Sequence, residues 1–354
     1  MRIERLISAV EEAGIDAFIV ARDPNIFYYA GTVSGGILLV APGSEALLLA
    51  PGLNLAIAQA QASGVEVRPF SRNNLLGQIV ERLKQAKPGA VGFDELSLNL
   101  YLKLRDGLQG AELKASSDVV WGMRRVKDPT EQRLMRRAGA LADVGMEAVR
   151  ESLGAGVREH EVAAEAAHAM MRNGAEGMAF EIIVASGPRS AYPHAGVTDR
   201  RIGDGDLVTV DLGAAYRGYM SDLTRTFIVG EPSEKQADIY RSVLRANESA
   251  LPEIREGAKG NEVDGIARAI IAEEGYGDYF IHGLGHGVGL EVHEPPSLGE
   301  ESGDTLQVGN VVTDEPGVYI PGFGGVRIED TVLVSGSGPE RLTRFDKDLD
   351  AARV

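Results

Sequence analysis

The stretch VDLGAAYRGYMSDLTRTFIV, residues 210–229, decides how this chain is read. Two β-rich runs flank a turn-like AAYRG, which predicts a hairpin. Asp211 and Asp222 lie equally far from its centre, near Tyr216 and Arg217. Antiparallel pairing about that centre sets the two carboxylates opposite one another, where like charges destabilise a sheet. A second hairpin pattern, VVTDEPGVYIPGFGGVRIEDTVLV (311–334), repeats the oddity. Its turn is PGFGG, and Glu315 and Glu329 are equidistant from Gly322. Acids near hairpins are usually solvated or cap turns. Two pairs in one region, each flanked by apolar residues that imply burial, carry a desolvation penalty too large to leave uncompensated. Cations compensate it. Four carboxylates balance two divalent ions, and oxygen ligands without sulfur suit Mn²⁺, Mg²⁺, Co²⁺ or Zn²⁺. Two-metal sites hold their ions roughly 3.5–4 Å apart around a shared water.

A nitrogen ligand can come from FIHGLGHGVGLEVHE (280–294), which holds His282, His286 and His293, three of the six histidines. Its glycines permit close backbone approach and disfavour a long helix. Even spacing puts His282 and His286 on one strand face, while His293 needs a bulge or bend. His194 lies in a loop, SAYPHAG, seventeen residues before Asp211. His160 and His168 fall in amphipathic helical patterns and read as structural or solvated. Competing motifs fail on their residues. In GLGHGVG, Val288 stands where a dinucleotide fingerprint needs glycine, and in HEPPS, Ser297 stands where a zinc-peptidase helix needs histidine.

The chain has 354 residues, 44% apolar and 25% charged, in the range of a globular protein with room for two domains. A formal charge of −16 argues against a nucleic-acid partner and against anionic membranes. The absence of cysteine excludes disulfides, thiolate metal sites and a cysteine nucleophile. MRIERLISAVEEAGIDAFIV is no signal peptide: Ile3, Leu6, Ile7 and Val10 mark an amphipathic helix stopped at Gly14. A cytoplasmic protein is expected. Up to about residue 125, short apolar runs (DAFIV, GGILLVAP, EALLLA, VEVRPF, AVGFDE) alternate with the helical patterns LNLAIAQAQAS and LNLYLKLRDGL, predicting an α/β domain. Asp128, Pro129 and Glu131 then predict a capped helix start, with Leu134, Ala138, Leu141, Val149 and Leu153 as its apolar stripe and Gly154 as its stop. Helices over 159–173, 233–255 and 261–274 follow, so the order ααββ occurs twice, without a sequence repeat.

VDLGAAYRGYMSDLTRTF, GLGHGVGLEVHE, DEPGVYIPG and GVRIED together resemble the metal-site segments of the pita-bread metallopeptidases, whose members include Xaa-Pro dipeptidase, aminopeptidase P, methionine aminopeptidase and creatinase. The resemblance covers about 130–350 strongly and the preceding third more weakly. It implies a creatinase/prolidase-like α/β domain over 1–125 and an α+β pita-bread catalytic domain over 126–354. It implies two divalent cations, Mn²⁺ first with Co²⁺ or Zn²⁺ as alternatives, held by Asp211, Asp222, His286, Glu315 and Glu329, with Asp222 and Glu329 bridging. Glu315 would also accept the proton of the nucleophile. His194, His282 and His293 would orient substrate and donate to developing charge, and Arg327 would support the ligand carboxylates. ASGPRSAYPHAGVTDRRI favours the Xaa-Pro branch, hence a short proline-containing peptide substrate and a homodimer. Many prolidases carry an arginine soon after the HE pair, whereas HEPPSLGE has none, which weakens strict dipeptide preference; Arg22 and Arg72 are alternative cations. Asp314, beside Glu315, replaces an aliphatic residue common in the family. The alternatives are a metal-stabilised scaffold without turnover and a creatinase-like C–N hydrolase that works without metal.

Overall fold

The computed structural model describes residues 2–354, in two compact units divided between Arg124 and Arg125. In the first unit the chain runs α1 (Arg2–Glu12), β1 (Ala17–Val20), α2 (Asp23–Ala30), β2 (Ile37–Val40), β3 (Leu47–Pro51), α3 (Leu55–Gln61), β4 (Glu66–Phe70), α4 (Leu75–Gln85), β5 (Ala90–Phe93), α5 (Leu98–Gly107), β6 (Glu112–Ala115) and α6 (Ser117–Arg124). The strands form one mixed sheet in the order β4-β3-β2-β1-β5-β6. β2 runs antiparallel to β1 and β3, and the other pairings are parallel. β1, β2 and β5 are buried along their whole length, which is why they read as unbroken apolar runs. The elements α2, α4, β6 and α6 carried no sequence expectation; β6 is an edge strand without a buried residue. Arg22 pairs with Glu95 at 3.1 Å, and Arg72 is exposed.

The second unit opens with α7 (Pro129–Ser152) and α8 (Glu159–Arg172). The Asp128 carboxylate accepts from the N–H groups of Thr130 (2.7 Å) and Glu131 (2.9 Å), and Glu131 accepts from the Asp128 N–H at 2.9 Å. This reciprocal cap fixes where α7 begins. Next come β7 (Gly177–Met178), β8 (Ile183–Ser186), β9 (Leu207–Leu212), β10 (Ala214–Tyr216), β11 (Tyr219–Met220) and β12 (Leu223–Ile228). The helices α9 (Glu234–Ala250) and α10 (Gly260–Glu273) then precede β13 (Gly285–Gly287), β14 (Glu294–Leu298), β15 (Val311–Asp314), β16 (Gly317–Ile320), β17 (Gly324–Arg327), β18 (Asp330–Ser335) and β19 (Gly338–Arg341).

The repeated ααββ order becomes two helix pairs, each with its own antiparallel sheet. Leu141, Val149 and Val162 of α7 and α8 share a core with Val208, Val210 and Phe227 of the sheet β12-β9-β8. Ile239, Val243 and Ile271 of α9 and α10 share another with Val312, Val332 and Val334 of the sheet β14-β13-β15-β18-β19. Among the described residues no helix is long and apolar enough to cross a membrane.

One register differs from expectation. Asp211 pairs with Thr224, not Asp222, because the hairpin turns at Arg217–Gly218, between the paired Tyr216 and Tyr219. Both turn residues have positive φ, 49° and 80°, the conformation of a two-residue turn matched to strand twist. In the second hairpin Gly317 pairs with Arg327 and Asp314 with Asp330. Glu315 and Glu329 occupy the matching positions between those two ladders.

Candidate metal centre

Strand alternation delivers the acids. On β9, Val208, Val210 and Leu212 enter the core beneath α7 and α8, so Thr209 and Asp211 take the other face. Their partners on β12, Thr226 and Thr224, share that face, and Asp222 lies two residues before Thr224. The Glu329 N–H donates to the Thr224 carbonyl at 3.0 Å, which brings the end of the second hairpin onto this polar face. Glu315 follows β15, with its N–H on the Leu284 carbonyl at 2.8 Å, and so faces the histidine segment. There the pairing shifts register between His286 and Gly287, opposite Ser297 and Glu294. That irregularity supplies the bend required for His293 to reach the site.

Ligand atoms of Asp222, His286 and Glu329 lie within 4.8 Å of one another. His286 Nε2 is 3.2 Å from Glu315 Oε1 and 3.7 Å from Asp222 Oδ2. Its Nδ1 lies 3.1 Å from the Gly287 carbonyl, which accepts only; Nδ1 therefore carries the proton in the neutral ring and Nε2 presents a lone pair to the acids. Asp211 Oδ2 accepts from Arg327 at 2.6 Å, and Glu329 Oε2 accepts from the Thr224 hydroxyl at 2.7 Å. The remaining oxygens, Asp211 Oδ1 and Glu329 Oε1, are buried without a hydrogen bond. Buried carboxylate oxygens of this kind are rarely left unsatisfied. Two orphaned oxygens beside an imidazole lone pair, with no sulfur donor, fit a pair of hard or borderline divalent cations.

The protein alone leaves much of this charge unbalanced. Burial, and then the charge of Glu329, pushes the Asp222 carboxyl well above the usual range. Burial, and then the charge of Glu315, does the same to Glu329. Burial would also raise Glu315, but the hydrogen bond and charge of His286 hold it down to about 2. Burial opposes protonation of His286, and Glu315 outweighs it, so that imidazole is shifted upward.

All nine residues expected at the site border one cavity of about 680 Å³. His160 and His168 remain on α8, outside its lining. His282 Nδ1 lies 2.7 Å from the Gly283 carbonyl, and its Nε2 lies 2.9 Å from the Tyr319 hydroxyl, which also accepts from Arg327 at 2.9 Å. Since the carbonyl must accept, Nε2 takes the tyrosine proton and no N–H of the neutral ring remains for substrate. His282 is thereby linked through Tyr319 to Arg327. Burial lowers its pKa, in keeping with the neutral form. His293 and His194 are exposed to the cavity, with the His293 ring centroid 4.2 Å from that of His286.

Tyr319, Thr224 and Thr313 carried no sequence expectation. Tyr319 is two residues along β16 from Gly317, the partner of Arg327, so strand period was the available signal. The Thr313 hydroxyl donates to Glu315 at 3.0 Å and accepts from the His286 N–H at 3.0 Å. Asp314 points away from Glu315 into a charged cluster where Asp330 meets Arg225, Lys347 and Arg341. Burial and the Asp330 charge raise its pKa well above the usual range.

Comparison with known proteins places the geometry in context. Residues 133–336 match the model of metallopeptidase family M24, and residues 2–126 match the creatinase/prolidase N-terminal domain. The chain is 42% identical to an Xaa-Pro dipeptidase of Pyrococcus furiosus over 98% of its own length and 99% of the relative's. The crystal structure of a prolidase from Pyrococcus horikoshii superposes with a TM-score of 0.93 at 40% identity, covering 98% of this chain and 99% of that one. An X-Pro aminopeptidase structure from Thermotoga maritima gives 0.91 at 34%, covering 100% and 99%.

Proposed function

The chain belongs to metallopeptidase family M24, and we propose that it hydrolyses the bond between an N-terminal residue and a following proline, in dipeptides and short peptides, using two divalent cations. The observation that carries the proposal is the meeting of Asp211, Asp222, His286, Glu315 and Glu329 around two orphaned buried oxygens. The Xaa-Pro specificity named for its relatives supports the choice of substrate. Asp222 and Glu329 would bridge, Asp211 would complete one ion, and His286 with Glu315 the other. Mn²⁺ is the first choice, with Co²⁺ and Zn²⁺ as alternatives, and a homodimer is the expected assembly.

When bound, such cations lower the pKa of water and polarise a carbonyl. The remaining work falls to the chain. Glu315, ionised throughout the neutral range, takes the proton of the attacking water at its carboxylate. Burial, and then the charge of His286, lowers the His293 pKa, so His293 is neutral and offers an N–H to charge developing on the carbonyl oxygen. His194 approaches from the opposite loop and orients the peptide. Arg327 holds Asp211 and is itself held by Tyr319 and His282. Phe180, Ile183, Ile281 and Val292 give the cavity apolar walls that exclude water from the bond being cut.

Substrates longer than dipeptides are included because the run HEPPSLGE (293–300) holds no arginine, whereas many prolidases carry a carboxylate-binding arginine soon after the HE pair. The test compares Xaa-Pro with Xaa-Pro-Yaa hydrolysis, with and without chelator. Cleavage of both is expected to vanish on chelation, and to be lost in Glu315→Ala and His286→Ala proteins that keep their circular dichroism. Full activity in the stripped protein or in either variant defeats the proposal. Bound metal without any turnover identifies a scaffold instead.

A further inference from the structure

Lys127 and Glu294 form an ion pair at 2.6 Å with both side chains 1% exposed, and the chemistry above uses neither. Each end is held firmly. The Lys127 N–H donates to the Gly309 carbonyl at 2.8 Å, its carbonyl accepts from the Gln132 side chain at 2.8 Å, and the α7 cap begins at the next residue. Glu294 pairs with Gly287 at the register shift in the histidine segment. Its carboxylate lies where a side chain on Gly289 would be, 2.2 Å from the position of a Cβ. Glu294 immediately follows His293. Among the described residues no hydrogen bond holds the His293 ring, whose aim depends on its backbone and on the ring of His286.

We propose that Lys127 is a positioning residue: by drawing the Glu294 carboxylate into the core, it fixes the bend that points His293 into the cavity. The inference rests on the role given above to His293. An outer partner that orients a site residue commonly contributes roughly 10- to 100-fold to activity. A group that donates mainly in the transition state shows its displacement in kcat more than in KM. Lys127→Met is therefore expected to lower kcat on an Xaa-Pro peptide by about 10- to 100-fold with KM changed less than about 3-fold. In a His293→Ala background the same substitution is expected to change kcat less than about 2-fold, because the group it positions is gone. Equal losses in both backgrounds overturn the proposal, as does a Lys127→Met enzyme with wild-type kcat.

A purely structural pair is separated by Lys127→Met/Glu294→Met, which replaces both buried charges with apolar side chains. This protein is expected to regain Tm while kcat stays low. Recovery of both overturns the proposal, and the double variant also serves if Lys127→Met alone does not fold. A readout independent of turnover is the His293 imidazole signal in ¹H–¹³C spectra of the protein loaded with diamagnetic Zn²⁺. It is expected to shift or broaden in the double variant while metal content is unchanged. An unmoved signal overturns the positioning role even if no proline peptide is cleaved by the wild type, an outcome that would separately remove the functional proposal.

Discussion

At Gly285, one missing side chain decides whether His286 can reach the acids. A Cβ there would lie 2.1 Å from the Thr313 carbonyl oxygen, so β13 can lie flush on β15 only with glycine at this position. Gly285→Ala is expected to push the strands apart, lower stability by about 1–3 kcal/mol in urea denaturation, and weaken metal affinity. Unchanged affinity would show that His286 tolerates the displacement. Glu159, fully buried on α8, anchors the opposite wall: it accepts from Ser186, Arg189 and Thr198, and Arg189 donates to the Ala195 carbonyl beside His194. Burial would raise its pKa, but the bonds from Thr198, Ser186 and Arg189 outweigh burial and lower it. A depressed folded-state pKa stabilises fully above the unfolded value of about 4.3, and that stabilisation fades as pH falls through the folded value. The Tm difference between wild type and Glu159→Gln is therefore expected to be large at pH 7 and to shrink below about pH 4. A difference independent of pH would contradict this. The clustered acids and three histidines of the cavity were legible because charge amid apolar residues demands a reason. Tyr319, Thr224 and Thr313 were not, since hydroxyls in strands are ordinary and their partners come from other strands.

The elements show why a wrong register still brought the same acids together. The first hairpin was centred one residue from its true turn, which shifts each cross-strand partner by two, so Asp211 faces Thr224 instead of Asp222. An odd error would have reversed every side chain, whereas an even one keeps the face. Asp211 and Asp222 therefore still converge. The missed detail was the turn: Arg217 at φ 49° gave no residue-type signal for a left-handed position, although Gly218 after it did. Helices were read more securely where a side chain caps the start, as at α7, than at α2, which has no side-chain cap and of which Asn25, Ile26 and the Tyr28–Ala30 run are buried. The α7 cap permits a direct check. Asp128→Ala removes the acceptor for two N–H groups and is expected to lower stability by about 1 kcal/mol, seen as a lower urea midpoint at unchanged slope. No loss would mean that Glu131 and tertiary packing hold the helix start unaided.

At the scale of the molecule, the centre joins two separately packed halves of the second unit. Asp211 and Asp222 come from the sheet beneath α7 and α8; His286, Glu315 and Glu329 come from strands associated with α9 and α10. Each half has a large apolar core, and Leu207 and Ile228 of the first half's sheet pack into the second. Across their junction Arg225 pairs with Asp330 and Arg327 with Asp211, while a set of buried carboxylates repels and opposes the meeting. The divalent cations proposed above would reverse that sign and would bind only when both halves are folded and in register. Linkage then stabilises the native state by about 2.7 kcal/mol at free metal one hundred times its dissociation constant. For a unit of this size that corresponds to a Tm rise of about 5–10 °C. Titrating Mn²⁺ into stripped protein is expected to raise Tm progressively with the logarithm of metal concentration. Asp222→Asn, which removes the acid proposed to be shared between the ions, is expected to abolish most of the rise while leaving the stripped protein no less stable, because one member of the repelling set has been neutralised. A Tm indifferent to metal would mean that the two halves are held together without cations, and that their meeting acids are balanced within the chain.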